Sequence, residues 1–214
     1  MAPTTTQTPD QPVTDGEPRL RADARRNREA VLAAARKRFA KCGLECQMED
    51  IARTAGVGVG TVYRHFPTKG DLIAALVADR FQRLAERAKE ALAEEDSWKA
   101  FCDLMRYSAE LQVRDRALSE IISSQPQLGQ HEAVASGLVD TTTELIARAQ
   151  DAGEMRKDAV IEDVPTLICG LGAVTAGAGN MPELNWDRYV EIMLDGLRAP
   201  GVNTLPPPRA RIPR

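Results

Sequence analysis

The sequence predicts an all-α protein in which an N-terminal three-helix head is joined by one long helix to a larger C-terminal helical body. Apolar residues recur at spacings of three and four along most of the chain, whereas no stretch alternates between apolar and polar as a half-buried strand does. Glycine and proline interrupt this pattern at intervals, which divides it into separate helices. Basic residues are concentrated near the N-terminus, which distinguishes the head from the body.

Composition favours a globular protein with an aliphatic core. The 214 residues are enough for one large domain or two small ones, and 43% of them are hydrophobic. Because only 4% are aromatic, the core must be filled by Leu, Ile, Val, Ala and Met.

The net charge of −3 conceals a division along the chain. Residues 19–70 contain 12 Lys and Arg against 5 Asp and Glu, whereas residues 71–214 contain 16 against 23. A basic head on an acidic body is typical of a protein that touches nucleic-acid phosphates at one end only.

The head carries the pattern of three helices. A first amphipathic run covers residues 24–42 and ends at Gly43. A short run then ends at Gly56, a residue that can adopt the left-handed conformation of a helix end. A third run begins at Val59 and must end before Pro67, which cannot continue a helix. Two short helices joined by a glycine turn form the helix-turn-helix layout, which reads DNA.

A long helix should connect the head to the body. Thr68 and Asp71 have the spacing of a capping box, and an apolar face continues from there to about residue 93. Further helices are expected over residues 97–111, 117–124, 131–152, 160–179 and 186–197. The uncharged stretch 164–181 is too rich in glycine for a membrane span, so we expect it to be buried and the protein to have no membrane partner.

These patterns divide the chain into a disordered arm (1–20), the helix-turn-helix domain (21–70), the helical body (71–198) and a loose Pro/Arg-rich tail (199–214). The arm leads into a basic run that consists of Arg19, Arg21, Arg25, Arg26 and Arg28. Such a run is either the solvated start of a helix or a contact with phosphates or the minor groove. Because it precedes the DNA-reading unit directly, we favour DNA contact, with Arg25 and Arg28 as candidates.

Other chemistries find little support. The four cysteines form no CxxC pair and only two histidines could join them, so no metal and no cofactor are expected. His65 has no nearby partner for catalysis, and the glycines of residues 56–60 lack the GK[ST] ending of a phosphate-binding loop. Free thiols and an N-terminus without a signal-peptide pattern favour the cytoplasm.

The run DIARTAGVGVGTVYRHFPTKGDL, residues 50–72, resembles the signature of TetR/AcrR-type bacterial transcriptional regulators. The resemblance covers residues 24–84, and beyond them the chain matches the family in size and helical pattern. It implies a repressor that binds a near-palindromic operator in double-stranded DNA as a homodimer and is released by a small-molecule ligand. The alternative is a small all-helical enzyme or interaction module that carries the motif, and the lack of a nucleophile–base pair disfavours the enzyme.

The resemblance also implies roles for single residues. The second short helix would enter the major groove, and the residues facing bases or adjoining phosphates would be Val59, Gly60, Thr61 and Arg64. Arg64 is the best candidate for reading a base, since a guanidinium can bind guanine at two atoms. Further phosphate contacts would come from Tyr63, His65 and Lys69. Gln47 stands where the family usually has Thr or Ser, so it should cap its helix less well, by about 1 kcal/mol, although it can still donate to a phosphate.

In the body the resemblance implies a ligand pocket and a dimer interface. The candidate pocket residues are Trp98, Phe101, Met105, Ile122, Leu138 and Leu171. Small residues on the uncharged helix would allow a second helix to approach closely, which independently favours an interface. The residues expected there are Gly170, Ala173, Gly177, Trp186, Val190, Met193 and Leu197. For both sets, ordinary core within one chain is the alternative.

Overall fold

A computed structural model describes residues 16–177, 185–201 and 203–207. The regular structure of these residues consists of α-helices, a 3-10 turn over Gly43–Glu45 and an isolated antiparallel bridge between Met155 and Arg198. The helices are α1 Gly16–Cys42, α2 Met48–Ala55, α3 Val59–His65, α4 Lys69–Leu92, α5 Ser97–Arg114, α6 Arg116–Ser124, α7 Pro126–Ala135, α8 Leu138–Asp151, α9 Asp163–Gly177 and α10 Trp186–Leu197. The predicted all-α class is confirmed.

The head consists of α1, α2, α3 and the first turns of α4, packed around a core of their own. Its large buried side chains include Phe39, Ile51, Val62, Phe66 and Leu72. Val62 and the residue that follows α3, Phe66, are four apart and both point inward, which leaves the opposite side of α3 facing solvent.

Helix α4 is anchored in two cores. At its start Thr68 and Asp71 form the predicted capping box, with the Asp71 N–H donating to Thr68 Oγ1 at 3.1 Å and the Thr68 N–H donating to Asp71 Oδ2 at 2.9 Å. Leu72 then lies in the head core, whereas Ala88 and Ala91 lie in the core of the body. One continuous helix therefore connects the packing of the two parts.

The body core is enclosed by the end of α4 together with α5, α8, α9 and α10. Helix α5 begins after Asp96, whose carboxylate accepts a hydrogen bond from the Lys99 N–H at 2.7 Å. Ser97, although serine often caps helices, is a buried residue of the first turn instead.

Helix α6 follows α5 in the body, yet two of its side chains lie in the head core. Leu118 and Ile121 are buried among the residues of that core. The same helix packs on α4, α5 and α9. The head is therefore tied to the body by α4 and α6 together.

Two predicted helices differ most from the structure. Helix α1 begins at Gly16, eight residues before the expected start, because its first turns contain charged and alanine residues that favour helix without an apolar stripe. The expected helix 131–152 begins already at Pro126, and it is divided into α7 and α8 by Gly137, which has a φ of 76°. Apolar spacing alone did not reveal this left-handed residue. The expectation of a disordered arm over residues 1–20 was wrong for residues 16–20, which belong to α1. Residues 1–15 and the expected end of a helix at residue 179 lie outside the described residues.

Cys42 and Cys46 form a disulfide, so the expectation of free thiols was wrong for this pair. Gly43, with a φ of 58°, ends α1 and turns the chain into the 3-10 turn. The two Cα atoms are thereby 5.8 Å apart, within the range that a disulfide spans. The thiols of Cys102 and Cys169 are free, and burial raises the pKa of both.

The described part of the expected tail is attached to the body. The Leu205 N–H donates to the Asp158 carboxylate at 2.7 Å, and Arg156 donates to the Asn203 carbonyl. Arg156 also pairs with Asp158 over 2.6 Å. The expectation of a loose tail was therefore wrong for Asn203 and Leu205, because a half-buried arginine and its carboxylate partner supply hydrogen bonds that proline content does not reveal.

Candidate DNA-binding surface

The turn between α2 and α3 depends on Gly56. This residue has φ 69° and ψ 27°, and its N–H donates to carbonyls at the end of α2. Such a left-handed conformation is favourable for glycine. The Val57 N–H donates to the Ala52 carbonyl at 3.1 Å, which completes the helix end. The turn allows Ile51 of α2 and Val62 of α3 to share the head core.

The outer face of α3 brings most of the predicted base-reading residues together. Val59 and Tyr63 are 42% and 43% exposed, and Gly60 and Arg64 beside them are exposed as well. Positions 59, 60, 63 and 64 share one side of a helix because their spacing is three to four residues. Thr61 is half-buried at the edge of this face.

Two of these residues have properties that suit contact with DNA. A Cβ built on Gly60 would meet no atom within 4 Å, so the backbone of α3 is open to a close approach there. Within the described ranges Arg64 forms no ion pair, which leaves its guanidinium available to a base or a phosphate.

The predicted phosphate donors Gln47 and Lys69 lie around one turn, between α1 and α2. Lys69 Nζ donates to the Leu44 carbonyl, and Gln47 Nε2 donates to the Glu45 carbonyl at 3.1 Å. The Gln47 side chain does not cap α2, as the sequence predicted. Both side chains are long, so their polar ends can exchange these carbonyls for a phosphate.

Tyr63 and His65 differ in how they could meet a phosphate. The Tyr63 hydroxyl is at the surface and donates to Glu49 Oε1 over 3.4 Å. His65 is half-buried, and its Nε2 is buried with no hydrogen-bond partner among the described residues. This nitrogen of His65 therefore does not face the solvent side of the surface.

The two candidate arginines of α1 also have different surroundings. Arg25 is exposed and pairs loosely with Glu29 over 3.8 Å. The Arg28 guanidinium lies 5.5 Å from the centroid of the Phe66 ring, a cation–π contact that turns it toward the head. Arg25 is the better placed of the two to reach DNA.

Sequence patterns missed the ion pair that joins α1 to α4. Arg36 Nη1 of α1 donates to Asp79 Oδ2 of α4 at 2.7 Å, and Arg83 Nε, on α4 itself, lies 3.1 Å from the same oxygen. Charge patterning cannot pair residues that are far apart in sequence.

Asp79 and Arg28 also line an open groove of about 410 Å³ between α1, α4 and α7.

The six expected pocket residues are divided between the two cores. Five lie in the body core or pack against it, namely Trp98, Phe101, Met105, Leu138 and Leu171. Ile122 packs against the head core instead. None of the six lines the groove. Their packing fits the alternative of ordinary core.

The expected interface residues of α10 point into their own chain. Val190 and Leu197 are buried in the body core, and Trp186 and Met193 are half-buried against it. This corrects the expectation for Val190 and Leu197, since the periodic stripe marks the inward face of the helix.

The outward side of α9 and α10 carries other residues. Tyr189 and Ile192 of α10 are 45% and 54% exposed. Gly170 and Ala173 of α9 are exposed too, and Gly177 is the last residue of that helix.

The described residues contain neither a membrane-spanning helix nor a cluster of metal ligands. No helix among them is both long enough and apolar enough to cross a membrane. No group of three or more His, Cys, Asp or Glu side chains in the same ranges could hold a metal ion.

Helix α3 follows a glycine turn and exposes one face at the surface of a basic head, and the long helix α4 joins this head to the body. These features define a helix-turn-helix DNA-binding protein. Comparison with known proteins agrees. Residues 31–76 match the family described as bacterial regulatory proteins, tetR family. Residues 96–199 match the family described as transcriptional regulator SbtR-like, C-terminal domain.

Individual proteins extend this likeness. An HTH-type transcriptional regulator of Staphylococcus aureus (strain USA300) is 44% identical over 54 residues, which are 25% of this chain and only 29% of that relative. The TetR transcription regulatory protein from Mycobacterium vanbaalenii is 36% identical, with a TM-score of 0.63, over 84% of this chain and 99% of that one. A TetR transcriptional regulator from Streptomyces coelicolor is 29% identical, with a TM-score of 0.58, over 80% and 98%. The chain belongs to the TetR family, and it is a DNA-binding transcriptional regulator rather than an enzyme.

Proposed function

We propose that this protein is a cytoplasmic repressor that binds a near-palindromic operator as a homodimer and leaves it when a small molecule binds the body. The observation that carries the DNA-binding part is the outer face of α3. Val59, Gly60, Tyr63 and Arg64 are exposed there, while Val62 and the following Phe66 are buried in the head core. Arg64 would read a guanine through its two-pronged guanidinium, and Gly60 would let the helix backbone approach the groove.

Phosphate contacts would fix the orientation of the head on DNA. Lys69 and Gln47 lie on the same side of the head, around the turn between α1 and α2. Tyr63 and Arg25 are exposed at the surface and extend this set. Contacts of this kind hold a protein in register but carry no sequence information.

A homodimer is supported by the outward side of α9 and α10. Large apolar side chains are exposed at Tyr189 and Ile192 of α10, and small residues are exposed at Gly170 and Ala173 of the neighbouring helix α9. Such residues suit helix packing against a second copy. A two-fold dimer would set its reading helices about 34–36 Å apart or at a multiple of that spacing, which requires a near-palindromic operator.

The proposed release by a ligand rests on the way α4 and α6 are packed. Both helices contribute side chains to the head core and also pack within the body. A molecule that binds better to a different arrangement of these helices would shift the population away from the DNA-binding geometry. Two regulators of the same fold were solved with small molecules, FadR from Bacillus subtilis with stearoyl-CoA and RolR with resorcinol. At 17% and 15% identity they share the fold alone, so the choice of ligand does not transfer.

The cytoplasmic location follows from the DNA partner. The argument from free thiols no longer applies to Cys42 and Cys46, since they form a disulfide.

The proposal is tested by selecting duplexes from a random pool with the full-length protein at moderate salt. We expect enrichment of a near-palindrome. Arg64→Ala should lose about 1–3 kcal/mol of discrimination at one base pair of each half-site, whereas Lys69→Ala should weaken all duplexes alike and reduce the salt slope by about 1. Failure to enrich any duplex would contradict sequence-specific regulation.

A further inference from the structure

Arg80, near the middle of α4, is a buried cation held by neutral groups. The whole residue is only 4% exposed. Nη1 donates to Ser119 Oγ at 2.9 Å and Nη2 donates to Gln112 Oε1 at 2.5 Å. Among the described residues no Asp or Glu forms an ion pair with it. Asp115 acts on Arg80 through its charge, without a hydrogen bond, and burial lowers the pKa of the guanidinium.

This arrangement leaves a buried positive charge incompletely balanced. Taking a guanidinium out of water is costly unless a carboxylate or another strong acceptor compensates. Hydrogen bonds to an ionised acceptor are about twice as strong as those to a neutral one. A carboxylate would therefore bind Arg80 more strongly than the Gln112 amide and the Ser119 hydroxyl do.

Gln112 provides a second donor at the same place. The residue is 3% exposed, and its Nε2 is buried without an acceptor among the described residues. The amide lies directly on the backbone of Gly172, where an added Cβ would be 2.3 Å from Nε2. A buried amide donor without a partner, next to a guanidinium with neutral partners, is the donor set that a carboxylate satisfies.

Two apolar cores adjoin this cluster. Leu118, next to Ser119 on α6, is buried in the head core, and Leu171, next to Gly172 on α9, is buried in the body core. A molecule whose carboxylate reached Arg80 would insert the rest of its structure between the apolar side chains of these cores.

The cluster also lies where the body meets the head. Ser119 is on α6, between Leu118 and Ile121, and both of these side chains are buried in the head core. Arg80 is on α4, whose first turns belong to the same core. A change in the bond between Arg80 and Ser119 therefore acts on the two helices that support the DNA-binding head.

We propose that Arg80 and Gln112 bind the carboxylate of a small organic acid with an apolar body, and that α6 transmits this binding to the head through Ser119. The inference rests on the proposed ligand-responsive regulation and names the chemical class of its ligand. The carboxylate oxygens take the places of Ser119 Oγ and Gln112 Oε1 on the guanidinium, while Gln112 Nε2 turns to donate to one of them. No proton is transferred, because acid and arginine meet as ions.

Binding is tested on the full-length protein with sodium hexanoate, sodium decanoate and sodium benzoate at millimolar concentration, each beside its primary amide. We expect at least one acid, and none of the amides, to raise the melting temperature and to give a calorimetric binding curve. Arg80→Met should weaken binding of that acid at least about tenfold, and Arg80→Lys, which keeps the charge but loses the fork, should weaken it less. Arg83→Met, three residues further along α4, is the matched control and should keep the affinity.

The link to DNA is tested through the ratio of affinities for the selected duplex with and without the acid. The acid should reduce the affinity of the wild type at least about tenfold, an effect of ordinary allosteric size. In Arg80→Met the ratio should be close to one, a result that a merely structural role would not give. If Arg80→Met does not fold, Gln112→Leu takes its place, with the same expected direction.

The proposal is overturned if no acid of the series binds, if the amides bind equally well, or if Arg80→Met binds the acid as tightly as the wild type. A wild type that selects no duplex contradicts the proposed function instead. In that case the melting and calorimetric measurements still decide whether Arg80 binds a carboxylate.

Discussion

Gly60 is a residue at which stability and DNA binding are expected to change in opposite directions. Alanine favours a helix more than glycine does, and a Cβ at this position meets no atom within 4 Å. We therefore expect Gly60→Ala to raise the free energy of unfolding by roughly 0.5 kcal/mol and to reduce DNA affinity, since the new methyl group lies between α3 and the groove. Urea unfolding and a DNA-binding titration on the same sample measure the two effects.

Gly56 supplies the control for this substitution. Its φ of 69° is unfavourable for any residue with a Cβ, so Gly56→Ala should lower the free energy of unfolding by about 1 kcal/mol. A Gly60→Ala variant that binds DNA as well as the wild type would show that α3 does not approach the groove through this residue.

Asp158 should make part of the free energy of unfolding dependent on pH. Hydrogen bonds from Arg156, and then from the Leu205 N–H, hold the pKa of its carboxyl well below the usual range. A carboxyl whose pKa is lower in the folded state than in the unfolded state stabilises the fold above its unfolded pKa of about 4. This contribution is lost as the pH falls toward the folded pKa.

The Asp158→Asn variant tests this dependence. Its urea midpoint should lie below that of the wild type by a constant amount above pH 5, and the gap should narrow below about pH 4. Hydrogen exchange at the Leu205 amide should be faster in the variant at neutral pH. If the difference in urea midpoint stays constant down to pH 3, the variant is destabilised by altered packing or hydrogen bonding and not by the loss of the carboxylate charge.

At the scale of elements, the turn between α1 and α2 is fixed by the Cys42–Cys46 disulfide. Closing a loop of five residues reduces the entropy of the unfolded chain and should contribute about 2 kcal/mol. Cys42→Ser should lose this amount in oxidising buffer, and adding dithiothreitol should make the wild type and the variant more alike. Cys169→Ala, which removes a free thiol, should show no such dependence on the reductant.

Counting thiols checks the disulfide directly. Of the four cysteines, two should react with an alkylating reagent in denaturant, and all four after reduction. Four reactive thiols without reduction would exclude the bond.

The helix-turn-helix and the start of α4 could be predicted because these helix ends carry distinct local chemistry. Gly56 is left-handed, and Thr68 and Asp71 bond to each other within one turn, so each signal is complete within a few residues. Gly137 is an equally left-handed helix break, but the apolar residues on its two sides fit one continuous period. The spacing of the apolar residues therefore did not indicate the left-handed conformation of Gly137.

The body was less predictable, since its features depend on residues far apart in sequence. Arg80 resembles a solvated arginine of a long helix until Gln112 and Ser119 are brought to it by α5 and α6. Likewise, the apolar stripe of α10 gives no indication whether Val190 faces its own chain or a second copy. Only the packing of α5 and α9 on α10 assigns it to the core.

At the scale of the whole molecule, the proposed dimer depends on the outward side of α9 and α10. Ile192 is the most exposed of its apolar residues, at 54%. We expect Ile192→Glu to convert the dimer into a monomer, because the interface would take a carboxylate out of water without a partner for its charge. Sedimentation equilibrium or light scattering measures the mass, which should fall toward the 23.4 kDa of one chain.

DNA binding should fall with the dimer, because one head reaches only one half-site of a palindrome and loses the gain from simultaneous contact, on the order of 10²-fold or more. Val134 on α7 is the matched control, since it is 39% exposed and its helix packs on α4, α6 and α8. Val134→Glu should leave the mass and the affinity for the full operator unchanged. If Ile192→Glu stays dimeric while Val134→Glu becomes monomeric, the interface lies on α7 and the spacing of the reading helices must be derived from that side of the body.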